Sequence, residues 1–157
     1  MSSTELLSRQ DRATLLEVAR SSIRWGLEHG QALAVHREDY PETLRPVRAT
    51  FVTLDIENRL RGCIGTLAAR QPLVQAVAEH AYAAAFDDPR FPELTEGEFP
   101  RLEVYISVLS PPEALWAGSE EELLAQLRPG VDGLILQFHR YRATFLPAVW
   151  ESLPDPY

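Results

Sequence analysis

The chain has 157 residues and a net charge of −8, with 23 acidic residues set against 15 cations, every one of them an arginine. Without a lysine amine, these residues cannot support Schiff-base chemistry, pyridoxal phosphate attachment or a phosphate-loop lysine. The single cysteine, Cys63, excludes an internal disulfide, an iron–sulfur cluster and a cysteine-rich zinc site. The acidic balance disfavours tight, sequence-independent binding to nucleic acid, which draws on an excess of cations, although a local arginine patch stays open.

A first helix is predicted from the capping pattern Ser8-Arg9-Gln10-Asp11, with Leu15, Ala19, Ile23 and Gly26 or Leu27 at helical spacing and Gly30 as its stop. From Gln31 to Pro46 the pattern dissolves into a connecting excursion, with one short strand expected near Ala34. Val47 to Ile56 alternates and is rich in β-branched residues. Glu57-Asn58 supplies a turn, and Arg59 to Cys63 returns as the second arm of a hairpin. Pro72 is placed in the first turn of an alanine-rich helix whose inward stripe is Leu73, Val77, His80 and Ala84, ended by Asp88-Pro89.

Leu102 to Leu109 alternates again, with Leu102, Val104, Ile106 and Val108 on one face. A second capping box at Ser119 to Glu122 opens a short helix closed by Pro129-Gly130. Leu134 to His139 and Arg142 to Phe145 form a last hairpin, and Pro147 begins a final turn of helix. Strands and helices that do not alternate regularly point to an α+β fold: an antiparallel or mixed β-sheet covered by helices, in two layers, with a larger and a smaller lobe. The length suits a single domain over residues 1–157, and residues around 31–46 are the candidate smaller lobe. No apolar run approaches the ~20 residues needed to span a bilayer, and no cationic-then-apolar leader is present, so a cytoplasmic location is expected.

The chemistry concentrates at Leu60-Arg61-Gly62-Cys63-Ile64-Gly65. Strand alternation would put Arg59, Arg61 and Cys63 on one face. A nearby guanidinium favours a thiolate, whereas burial in an apolar core favours the thiol. Cys63 is therefore either a small buried hydrophobe or a nucleophilic or redox-active thiol, approached across Gly62 and Gly65. His80 is the candidate base beside it and His139 the other, against the plainer reading of His80 as a hydrogen-bonded core histidine. Arg90, in Asp88-Pro89-Arg90-Phe91, either pairs within its turn or joins Arg61 as an anion-binding fork. His29 and His36 make no metal-ligand pattern, and neither a metal nor a cofactor is expected.

Five segments occur in series: Leu60 to Gly65, Asp88 to Phe91, Val108-Leu109-Ser110-Pro111-Pro112-Glu113, Val131-Asp132-Gly133-Leu134, and Phe145-Leu146-Pro147-Ala148-Val149-Trp150. In this order the chain resembles the AMME-chromosomal-region family, called protein A of the AmmeMemoRadiSam system in prokaryotes, from about Ala13 to Pro154. The resemblance implies an α+β fold with a larger and a smaller lobe. It also implies a genomic association with a Memo-family protein and a radical S-adenosylmethionine enzyme, and members usually continue past the Leu-Pro-x-Val-Trp segment into a helical tail with lysines. It implies no settled reaction.

Two functions follow as expectations. In one, a cleft holding Cys63, Arg61 and His80 acts on a small anionic or RNA-borne group. In the other, the chain is a non-catalytic adaptor for the radical enzyme and its Memo-family companion. An arginine-lined pocket with a histidine within reach of the thiol favours the first.

Overall fold

The computed structural model describes residues 7–128 and 132–146. Packing separates two compact units, one running to Pro111 and the other beginning at Pro112.

In the first unit, Ser8 caps helix α1 (Arg9–His29), its hydroxyl accepting the Asp11 backbone N–H at 3.0 Å. Gly30 closes the helix at φ 70, a left-handed conformation that side chains with a Cβ resist. Leu15, Val18, Ala19 and Ile23 form its buried stripe. The strand expected near Ala34 is absent: residues 31–46 carry only two short 3-10 turns, Arg37–Asp39 and Glu42–Leu44. Pro41 and Pro46 withdraw two ladder donors there, and fully buried Leu44 anchors the excursion into the unit's core.

Strands β1 (Ala49–Ile56) and β2 (Arg59–Gly65) form the expected hairpin. Its turn residues Glu57 and Asn58 both take positive φ, 52 and 62, as a two-residue turn matched to strand twist requires. Helix α2 (Leu73–Phe86) follows, with Pro72 at its N-cap rather than inside its first turn, and strand β3 (Leu102–Leu109) completes an antiparallel sheet of order β2-β1-β3. Val52, Leu54, Leu102 and Val108 line one face of this sheet, against α1 and α2. Each fully buried Leu or Val there contributes ~1.5–3 kcal/mol. The alanines of α2, five of them buried, let its backbone lie close to the sheet.

In the second unit, Ser119 caps the short helix α3 (Glu120–Gln126), accepting the Glu122 N–H at 3.2 Å as its capping box predicts. Strands β4 (Leu134–Phe138) and β5 (Tyr141–Phe145) pair antiparallel around a turn in which His139 has φ 53. The Pro129-Gly130 helix stop and the Pro147 turn lie outside the described residues. The architecture is α+β. No helix among the described residues is long and apolar enough to cross a membrane.

Candidate functional site around Cys63

The position of the thiol is decided by an irregularity in the β1–β2 ladder. Ile56 faces Arg59 and Asp55 faces Leu60, but Leu54 faces Gly62, leaving Arg61 as the extra residue of a bulge. A regular ladder from the Glu57-Asn58 turn would set Cys63 opposite Val52, on the buried face. The bulge advances the register by one and sets it opposite Thr53, on the other face. The expectation that Arg59, Arg61 and Cys63 share a face is thereby corrected: Leu60, opposite Asp55, is the residue that shares the face of Cys63, and Arg59 is turned to the face of Ile56.

Cys63 is half-buried, and its Sγ lies 3.2 Å from the Thr53 hydroxyl. Its backbone N–H points away from β1, off the sheet edge, and donates to Asp88 Oδ2 at 3.0 Å. Asp88, only 4% exposed, accepts three further hydrogen bonds from Arg90: from its backbone N–H at 3.1 Å, Nε at 3.0 Å and Nη2 at 2.8 Å. The Arg90 guanidinium, with the Cys63 and Arg90 amides, holds the Asp88 carboxyl far below the usual carboxylate range. Asp88 in turn raises the pKa of Arg90, and Cys63 lies within Arg90's electrostatic reach.

The second arginine is also paired with a carboxylate. Arg61, 8% exposed, donates Nε and Nη2 to the two Glu98 oxygens at 2.8 and 3.2 Å, and Nη2 also to the Pro92 carbonyl at 2.8 Å. This pairing, with further hydrogen bonds from Thr95, pulls Glu98 down to about 2. Nη1 of Arg61 is buried without a hydrogen-bond partner among the described residues. The Phe91 ring gathers both cations, its centroid 5.8 Å from the Arg61 guanidinium carbon and 5.5 Å from that of Arg90. Both guanidiniums therefore stand at one aromatic ring, each paired with a carboxylate of its own chain.

The two glycines have structural occupants. A Cβ on Gly62 would stand 2.0 Å from the Ala84 carbonyl oxygen of α2, and one on Gly65 would stand 2.3 Å from the Thr50 carbonyl oxygen and 2.4 Å from the Phe51 ring. Because Gly62 meets α2, the next side chain along the strand, Cys63, points away from that helix. His80 stands on α2, across the sheet from the thiol. It is half-buried, its Nδ1 lacks a partner among the described residues, and burial lowers its pKa. His139 belongs to the second unit. Among the described residues, no three of His, Cys, Asp and Glu gather as a metal site.

Thr53, Asp88 in its role of capping the strand edge, and Glu98 were not singled out by sequence. Thr53 is hidden by the bulge and Glu98 by the 37 residues separating it from Arg61, whereas the Asp88–Arg90 pair was legible from their proximity.

Fold and site together define a two-unit α+β protein whose first unit has a helix-backed sheet with one thiol on the face opposite its helices. The chain belongs to the AMMECR1 family, which it matches over residues 16–155. A protein of Methanothermobacter thermautotrophicus is 40% identical over 143 residues, covering 91% of this chain and 74% of that one. Protein MJ0810 of Methanocaldococcus jannaschii is 40% identical over 114 residues, 71% of this chain and 57% of its own length. The crystal structure of uncharacterized protein PH0010 from Pyrococcus horikoshii superposes with a TM-score of 0.81 at 36% identity, covering 91% of this chain and 72% of that one.

Proposed function

We propose that this chain acts as an adaptor, binding protein partners through the sheet face that bears Cys63, and is not itself a thiol catalyst. The observation that carries this reading is the charge balance at the site. Arg61 and Arg90 are each paired with a carboxylate, Glu98 and Asp88, so the two pairs carry no net positive charge toward an anionic substrate. His80, the nearest candidate base in sequence, stands on the opposite side of the sheet. The face itself presents Thr53, Leu60, Cys63, Glu103 and Tyr105, a mixed apolar and polar surface on a rigid ladder, which suits protein recognition. The candidate partners are those the family resemblance supplies, a radical S-adenosylmethionine enzyme and a Memo-family protein.

Calorimetric titration of the chain with each purified companion tests this. The adaptor reading expects a complex that Cys63→Ser leaves intact and that Leu60→Arg, an exposed change on the same face, weakens at least tenfold. Loss of a product formed by the assembly on Cys63→Ser, with the complex intact, would restore the thiol-enzyme reading. Absence of a complex with either companion would remove these two as partners.

A further inference from the structure

Trp116, in the second unit, is 85% exposed, beside Leu115 at 42%. A tryptophan so placed leaves a large apolar ring in water, on a backbone that is tied to α3. The Trp116 carbonyl accepts the Gln126 side-chain amide at 3.0 Å, and the Gly118 N–H donates to Glu122 Oε2 at 2.7 Å, so the backbone on both sides of Ala117 is tied to α3. Gln126 is also tied back to the Glu122 carbonyl at 3.2 Å. A ring presented on braced backbone surrenders little conformational freedom on binding, and tryptophan dominates binding hot spots where a partner encloses it.

Charge selects the kind of partner. From Pro112 to Leu127 the chain has four carboxylates, Glu113, Glu120, Glu121 and Glu122, and no cation. An anionic membrane surface or a nucleic acid would be repelled by this flank. A second copy meeting the same patch across a two-fold axis would set the carboxylates against themselves. The geometry points to a docking site in which the Leu115-Trp116 loop inserts into an apolar slot rimmed by arginine or lysine on a different protein. This site lies in the second unit and is independent of the sheet-face reading.

Two synthetic helical-hairpin peptides of equal length test it, each with a leucine-lined slot between its two helices, one rimmed by arginine and the other by glutamate, titrated against the full chain by calorimetry. The arginine-rimmed peptide is expected to bind, to lose at least tenfold in affinity with Trp116→Ala, and to weaken with Glu120→Gln/Glu121→Gln and with rising salt. The glutamate-rimmed peptide is expected not to bind. Trp116→Ala binding as tightly as the unchanged chain, equal binding of both peptides, or no binding of the arginine-rimmed peptide would each overturn the proposal. Circular dichroism of the variants, expected to be unchanged for so exposed a ring, separates loss of binding from loss of fold.

Discussion

Asp88 is the residue on which the site's geometry turns. Its carboxylate serves the exposed edge of β2 through the Cys63 amide and restrains Arg90 at the same time. Replacing it with alanine leaves a partly buried N–H and a guanidinium unsatisfied. Asp88→Ala is expected to cost about 2–4 kcal/mol in urea unfolding, and Arg90→Ala less, because the Arg90 side chain is more than half exposed. Glu98 adds a pH dependence. Its folded pKa of about 2 lies below the unfolded value near 4.3, so its stabilisation is present above the unfolded value and is lost as pH falls from about 5 towards 2. Unfolding free energy measured across that range should decline, with a shallower slope in Glu98→Gln. His80 has its pKa lowered by burial, so the unfolded chain binds more protons near pH 6.5 and below, and stability rises with pH through that region. His80→Gln should flatten that segment of the curve.

The same elements show which features the sequence made legible. Local signals carried the caps of α1 and α3, the Glu57-Asn58 turn and the alternation of β3, because a cap or a two-residue turn is decided by residues a few positions apart. The bulge at Arg61 was not legible, since the alternation of Arg59, Arg61 and Cys63 reads as a regular strand and the irregularity appears only against β1. That single extra residue turns the thiol from the helix side to the opposite face of the sheet, while Arg61 pairs with Glu98. The role of Gly62 was likewise invisible, because the backbone that crowds it, at Ala84, belongs to a helix 22 residues further along the chain. Gly62→Ala forces a Cβ onto that carbonyl. It is expected to destabilise by at least about 3 kcal/mol or to prevent folding, read by the unfolding midpoint and the yield of folded protein.

For the whole molecule, the arginines near its only cysteine brace the edge of β2 and the loop after α2. Each of those arginines is paired with a carboxylate of its own chain, Arg61 buried against Glu98 and Arg90 more exposed against buried Asp88, a pairing their clustering with a thiol in sequence does not show. The most direct test is the second-order rate of Cys63 alkylation by iodoacetamide at pH 7, compared between the native chain and the chain unfolded in urea. The adaptor reading predicts a native rate equal to or below the unfolded one, since the thiol is partly buried and its Thr53 partner is within hydrogen-bond distance. A native rate several-fold above the unfolded one would contradict it and make Cys63 an activated nucleophile.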